Sequence, residues 1–163
     1  MSTKRSIRNI PALLFVASVM FFSGITMADN HADYPGTITV NTSVSFDTLA
    51  TRVEQAVASH KMGLVAQASA SRGAAKRGVK IPGNLVLMVF RNDYAVRMLN
   101  ASVAAGIEAP LRIYLTENSD GTSSLTYRKP SVVFAPYANR ELDKMAAELD
   151  AIFSRIVADA TQQ

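Results

Sequence analysis

The sequence contains no cysteine and no tryptophan, and it has only two histidines among 163 residues. Without cysteine the chain has no disulfide, no thiol nucleophile and no thiolate ligand for a metal. Two histidines leave little scope for a catalytic triad, and no Gly-x-Ser-x-Gly nucleophile motif is present. The composition therefore favours a non-catalytic protein that is stabilised by packing alone. An enzyme whose site is not recognisable from the sequence is the alternative.

The first 28 residues have the composition of a secretory signal peptide. Basic residues precede a mostly apolar run of 13 residues, Ile10 to Phe22, and the small residues Thr26 and Ala28 precede the expected cleavage point. The run is shorter than the roughly 20 residues that a membrane-spanning helix needs. We predict cleavage after Ala28 and a periplasmic location. The alternative is a leader that is retained as a membrane anchor.

Removal of this leader leaves a chain of nearly balanced charge. Residues 1–28 hold three of the 17 Lys and Arg and none of the 13 Asp and Glu, so the net charge falls from +4 to +1. A balanced chain lacks the broad positive surface of a nucleic-acid-binding domain. We therefore expect no nucleic-acid partner, and contact with a membrane only through an uncleaved leader.

Hydrophobic periodicity predicts a flexible tail at residues 29–36 and a single α+β domain at residues 37–160. The predicted strands are 37–41, 64–69, 84–90, 111–116 and 124–128, and the predicted helices are 46–61, 93–102 and about 142–157. The order β-α-β-β-α-β-β-α predicts two layers, one sheet with helices on one face. The continuous apolar run at 84–90 predicts a central strand covered by other elements. Residues 72–82 are predicted to form a basic connection.

Several segments of the chain resemble the bacterial family called domain of unknown function 302, over roughly residues 37–157. The segments that carry the resemblance are Gly63 to Pro82, Leu85 to Asp93, Ala109 to Tyr114, Asp120 to Pro130 and the long C-terminal helix. The resemblance implies an exported bacterial member with a fold similar to the two-layer TATA-binding-protein-like class, with an antiparallel sheet. It implies no common enzymatic activity.

The chain departs from that family at two places. Many exported members have a Gly-Asn-Pro turn where this chain has Arg91-Asn92-Asp93. Many also have Asp-His after the second strand, where this chain has about Ala70-Ser71-Arg72. We therefore transfer no catalytic residue from the family.

The predicted new N-terminus begins with Asp29, Asn30 and His31. A free amine, two deprotonated amides and an imidazole in the third position supply four nitrogens in a plane, an arrangement that suits Cu(II) or Ni(II). Cleavage one residue to either side removes this geometry. The motif predicts a copper-binding or metal-buffering protein, with a polar tether as the alternative. The other histidine, His60, is expected to have a structural role at the end of the first helix.

A basic segment follows the second predicted strand. Arg72, Lys76, Arg77 and Lys80 place four positive charges within nine residues. We interpret this segment as a solvated connection, and the alternative is an anion-binding loop that holds an anionic ligand or touches acidic lipid headgroups. No strand, glycine-rich turn and helix occur in the order that a phosphate-binding loop requires.

Our main hypothesis is a non-catalytic domain that binds a small ligand or a protein partner. Its binding site is expected between the sheet and the long C-terminal helix, or across a sheet edge, where homodimerisation is one form of association. Tyr114 and Tyr127 lie on the two strands of a predicted hairpin. These two tyrosines either line a ligand site on a concave face of the sheet or pack across the strands without contacting a ligand.

Overall fold

The computed structural model of the chain describes residues 34–162. The predicted leader and the residues Asp29, Asn30 and His31 lie outside the described residues, so the cleavage point and the N-terminal metal site stay predictions. Within residues 34–162, no helix has both the length and the hydropathy to span a bilayer.

Five antiparallel strands form one open sheet. They are β1 (Thr37–Thr42), β2 (Gly63–Ala68), β3 (Asn84–Phe90), β4 (Leu111–Glu117) and β5 (Ser123–Arg128). Their order across the sheet is β1-β5-β4-β3-β2, which makes β1 and β2 the edge strands. The predicted hairpin joins β4 to β5, and its Gly121 has a φ of +83°. Glycine adopts this left-handed conformation without strain, as the predicted Asp-Gly turn requires.

Four helices of the described residues pack on one face of this sheet and contribute to its core: α1 (Phe46–Ser59), α3 (Asn92–Ala101), α4 (Pro130–Phe134) and α5 (Arg140–Thr161). The short helix α2 (Ala70–Ala75) lies between β2 and β3 in sequence and contacts β3, and its buried Ala74 lies outside that core. The Asn139 side chain begins α5 by accepting hydrogen bonds from the backbone N–H groups of Glu141 and Leu142. One face of α5 is buried at helical spacing, as predicted, and consists of Leu142, Met145, Ala146, Leu149, Ile152, Phe153, Ile156, Val157 and Ala160. The two-layer α+β architecture is therefore confirmed.

The structure corrects the predicted surroundings of β3. This strand is interior to the sheet, but helices cover only one of its faces. Leu85, Leu87 and Val89 are fully buried on that face, whereas Val86 and Met88 are half-buried on the open face. Val86 lies opposite Tyr114 of β4 in the register. The apolar residues on the open face therefore take part in cross-strand pairs rather than in a second core.

The segment predicted as a basic connection contains a helix, so that prediction was wrong. The Ser69 side chain begins α2 by accepting a hydrogen bond of 3.1 Å from the Arg72 N–H. The helix ends at Ala75 with Lys76 as its C-cap, and Gly78 follows with a φ of +73°. The Gly78 N–H donates to the Ala75 carbonyl and the Val79 N–H to the Ala74 carbonyl, both at 3.0 Å. These bonds satisfy the last carbonyls of a helix too short to show hydrophobic periodicity.

The short helix α4 was also not predicted. It begins at Pro130, a residue that favours the first helical position. The backbone N–H of Ser131 then donates a hydrogen bond of 2.9 Å to the carboxylate of Asp150, which lies on α5. The start of α4 is thus fixed in part by a contact between segments that are distant in sequence.

Candidate functional site

A groove with a volume of about 730 Å³ lies between edge strand β1 and helix α5. Ile38 and Val40 of β1, together with Tyr127 of β5, line the sheet side of this groove. On the helix side, small exposed residues follow one another on successive turns of α5: Ala147, Ala151, Ser154 and Ala158. We call this site the β1 groove. It lies where the sequence predicted a binding site, between the sheet and the C-terminal helix and next to a sheet edge.

Local sequence explains why the β1 groove stays open. The large apolar residues of α5 face the core, and the adjacent stripe of the same helix carries side chains too short to reach β1. Ile38 and Val40 lie opposite Tyr127 and Leu125 in the register, so they point to the helix-covered face. Both remain only half-buried. The groove is therefore an uncovered part of the inner face of the sheet.

The β1 groove also contains polar groups. Tyr127 is only 7% exposed, and its ring centroid lies 5.7 Å from that of Phe153. Burial raises the pKa of the Tyr127 hydroxyl, and the negative charge of Asp150 raises it further. Within the described residues the Tyr127 hydroxyl forms no hydrogen bond. Every fully buried polar side-chain atom of these residues has a partner, so this hydroxyl is not among the fully buried atoms. The hydroxyl is thus open to the groove and available to an incoming group.

Within residues 34–162, the outer edge of β1 has none of the features that usually prevent strands from pairing. β1 pairs with β5 on one side, and no other strand of the described residues pairs with its outer side. Its six residues, Thr37–Thr42, include no charge and no proline, and their register with β5 is continuous. The opposite edge, β2, has a register irregularity between Leu64 and Ala66. Of the two edges, β1 is the one suited to accept another strand.

The two hairpin tyrosines lie on opposite faces of the sheet. Tyr127 lies opposite Ile113 in the register, whereas Tyr114 lies opposite Thr126. Tyr127 is buried on the helix-covered face, and Tyr114 is 41% exposed on the open face. The hypothesis that both line one concave face is therefore wrong. The positions of the two tyrosines in the paired strands determine which face each one occupies, because successive side chains of a strand alternate between faces.

A second cavity, lined mainly by apolar residues including Met62, Met98 and Met145, has a volume of only about 30 Å³. That is space for about two water molecules. Tyr94 and Arg91 lie at its border, and the Arg91 guanidinium carbon is 4.2 Å from the centroid of the Tyr94 ring. Methionine fills irregular gaps in protein cores because its side chain is flexible. We therefore interpret this cavity as a packing gap.

The remaining predicted site residues fall into two groups. The basic residues Arg72, Lys76, Arg77 and Lys80 are all exposed on α2 and the segment after it. His60 is the C-cap of α1, and its Nε2 lies 2.7 Å from the Asp159 carboxylate of α5, as expected for a structural role at a helix end. Residues 34–162 contain no group of three His, Asp or Glu side chains placed to hold a metal ion.

Sequence reasoning predicted a site in the region where the β1 groove lies but did not identify the residues of the groove, and its role in binding stays a prediction. The helix wall of the groove could have been predicted from the exposed stripe of alanine and serine on α5. A prediction that considers only large apolar residues does not detect this stripe. The signal for the sheet side of the groove is the uncharged β1, Thr37–Thr42. No local pattern marks that strand as an edge, because its position depends on pairing with β5.

Comparison with known proteins agrees with the sequence resemblance. A profile of the family described as domain of unknown function DUF302 matches residues 38–160. The fold is similar to that in the crystal structure of an uncharacterized conserved DUF302 protein from Bacillus stearothermophilus, with a TM-score of 0.67 and 20% sequence identity. The similarity covers 79% of this chain and 100% of that one. No curated protein matches the sequence. The chain belongs to the DUF302 family.

Proposed function

We propose that the protein is an exported, non-catalytic binding domain that binds an extended polypeptide segment at β1 and in the β1 groove. The observation that carries this proposal is the position of an unprotected edge strand directly beside a groove with an apolar floor. Strand addition uses backbone hydrogen bonds for affinity and pockets for alternate side chains for specificity. β1 supplies the backbone groups, and the groove supplies space for the side chains.

The shape of the β1 groove favours a polypeptide over a small ligand. Sites for small molecules typically enclose about 70–90% of the ligand surface. Here the helix wall consists of short exposed side chains, so a small molecule in the groove stays largely in contact with solvent. An added strand instead pairs with β1 along its whole length. Export is supported by the composition of residues 1–28.

The partner that we propose is a second copy of this chain. Antiparallel pairing of two β1 strands across a two-fold axis gives each copy the same contacts, as an isologous interface requires. Ile38 and Val40 of both copies then share one apolar surface. The edge carries no charge, and the groove contains one cation, Lys129, and one anion, Asp150. The charges of this surface are therefore compatible with a copy of itself.

The first test is the mass of the exported protein in solution, measured by light scattering over a wide concentration range. We expect a dimer for the unchanged protein and a monomer for Ile38→Lys, which places a charge on the inward face of the edge strand. The matched control is Ala66→Lys on the other edge strand, β2, which should leave the dimer intact. Thermal unfolding of each variant checks that it is folded.

A second variant, Ala151→Trp, fills the β1 groove from α5 without changing the edge strand. We expect it to weaken the dimer at least tenfold because its side chain occupies the space of the partner. If the unchanged protein stays monomeric up to about 1 mM, a concentration that corresponds to about 4 kcal/mol of binding free energy, the proposal is wrong. Dimers that withstand both Ile38→Lys and Ala151→Trp contradict it equally.

A second candidate function rests on the sequence Asp29-Asn30-His31 directly after the expected cleavage point. We propose that the mature N-terminus binds Cu(II) or Ni(II) in a plane of four nitrogens. Intact mass gives the first residue of the exported protein, and any residue other than Asp29 rejects the site. With Asp29 first, a stoichiometric Cu(II) titration should give the visible band of planar nitrogen coordination. His31→Ala should abolish this band and His60→Ala should preserve it.

A further inference from the structure

Four exposed cations are concentrated on α2 and the segment that follows it, and we call them the basic platform: Arg72, Lys76, Arg77 and Lys80. None of them forms an ion pair with another described residue. They belong to a longer segment whose charged residues are all basic, because residues 55–92 contain six Lys or Arg and no Asp or Glu. The nearly balanced charge of the chain without residues 1–28 is therefore unevenly distributed along the sequence.

The basic platform has a fixed backbone. The Asn84 side chain at the start of β3 accepts a hydrogen bond of 2.8 Å from the Ala70 N–H, at the start of α2. In the opposite direction, the Asn84 N–H donates to the Ser71 hydroxyl at 3.2 Å. Ser69 is the N-cap of α2, Lys76 is its C-cap, and Gly78 follows in a left-handed conformation. The start of α2 is therefore anchored to β3, and the four cations lie on α2 and on the segment that joins it to β3 rather than on a loose tail.

Apolar side chains are interleaved with these charges. Val79 is 51% exposed and Ile81 is 40% exposed, and Lys80 lies between them. Residues 70–82 contain no aromatic side chain on which a nucleic-acid base can stack. Cations attract anionic headgroups, and exposed aliphatic side chains gain from entering the boundary of the acyl chains. This combination distinguishes a lipid surface from other polyanions.

We propose that the basic platform, with Val79 and Ile81, docks the domain on a membrane that contains anionic phospholipid. This route to the membrane does not depend on the leader, and it develops the lipid-headgroup alternative that the sequence offers for these four residues. The basic platform is also separate from the β1 groove, since β2 and β1 are opposite edges of the sheet. A result that rejects one of the two proposals therefore leaves the other unaffected.

Vesicle co-sedimentation tests this docking with the exported protein. One set of vesicles contains equal parts of phosphatidylglycerol and phosphatidylcholine, and the other contains phosphatidylcholine alone. We expect binding to the anionic vesicles only, and loss of that binding at high salt, because salt screens exposed charges. Each cation near an anionic surface contributes roughly fivefold in affinity. The variant Arg72→Gln, Lys76→Gln, Arg77→Gln, Lys80→Gln should therefore lose at least a hundredfold.

The matched control removes the same net charge elsewhere. Arg112, Arg140, Lys144 and Arg155 are exposed, lie outside the basic platform and are all changed to Gln. This control should bind anionic vesicles within about twofold or threefold of the unchanged protein, provided that location rather than net charge determines binding. Equal losses in both variants, or equal binding to neutral vesicles, overturn the proposal.

A third variant and a second ligand separate lipid from other anions. Val79→Ser, Ile81→Ser should weaken binding to anionic vesicles several-fold while leaving every charge in place. Duplex DNA at the same phosphate concentration should bind much more weakly than the vesicles. If the protein binds DNA as tightly as vesicles and the serine variant behaves like the unchanged protein, the basic platform is a general polyanion surface and the membrane assignment is wrong.

Discussion

Arg97 of α3 and Glu148 of α5 form a two-pronged ion pair. The Arg97 Nη1 lies 2.7 Å from Glu148 Oε2, and the Nη2 lies 2.8 Å from Oε1. The Tyr94 hydroxyl donates a further hydrogen bond of 3.1 Å to Glu148. The hydrogen bonds from Arg97 lower the pKa of the Glu148 carboxyl to about 2. This carboxylate thereby connects α3 to the helix that forms one wall of the β1 groove.

The depressed pKa of Glu148 predicts a pH dependence of stability. Its ordinary pKa is 4.5, and the folded value is about 2. A depressed carboxyl pKa stabilises the folded state above the unfolded value, and the contribution is lost as the pH falls through the folded value. The Arg97 and Glu148 side chains are 45% and 48% exposed, so solvent screening keeps this contribution modest. Unfolding free energies of the unchanged protein and of Glu148→Gln should therefore differ modestly at pH 7 and converge between about pH 4.5 and pH 2.

The control for this prediction is Glu141→Gln. Glu141 pairs with Lys144 within α5, and both side chains are mostly exposed, at 68% and 55%. Exposed pairs of this kind contribute little to stability. We expect the Glu141 variant to follow the unchanged protein across the whole pH range. If the difference in unfolding free energy between the unchanged protein and Glu148→Gln stays constant down to pH 2, the carboxylate charge does not cause that difference.

Phe153 is predicted to be a main contributor to stability. It is fully buried on α5, and its ring packs against Tyr127 beneath the β1 groove. Phe153→Ala should reduce the free energy of unfolding by about 3–5 kcal/mol, measured with urea. The neighbouring exposed change Arg155→Ala should stay within about 0.5 kcal/mol of the unchanged protein. A loss below about 1 kcal/mol for Phe153→Ala means that the core is not packed as described.

Two glycine substitutions should have opposite effects. Gly36 has a φ of +77°, and a Cβ at this position overlaps the side chain of Val132. Gly73 lies within α2, and a Cβ there meets no atom within 4 Å. Gly36→Ala should therefore lower the melting temperature, whereas Gly73→Ala should stabilise the protein by about 0.5–1 kcal/mol. Equal effects of the two changes contradict the described backbone.

The parts of the fold that the sequence predicted are those with strong local patterns. The face of α5 from Leu142 to Val157 repeats over several turns, and the Asp120-Gly121 turn lies between two alternating strands. The helix α2 was missed because six residues are too few for periodicity, although Ser69 is a favourable N-cap and Gly78 follows the end of the helix. The start of α4 depends partly on Asp150, which is distant in sequence.

The candidate site divides in the same way. The basic platform was visible in the sequence because its four charges are close together along the chain. The β1 groove was predicted only as a region, because its walls come from opposite ends of the domain and its openness depends on strand order. The face assignment of Tyr114 and Tyr127 was available from their positions in the paired strands. It was missed because side-chain alternation was not followed across the hairpin.

Amide hydrogen exchange along β1 is the most direct test of strand addition. The Thr37 N–H donates to the Tyr34 carbonyl at 2.9 Å, and the other backbone N–H groups of β1 that do not bond to β5 face the open edge. If a second copy pairs with this edge, these amides become protected as the protein concentration rises, and Ile38→Lys removes the protection. Exchange of these amides at the same unprotected rate at every concentration would contradict the proposed role of β1.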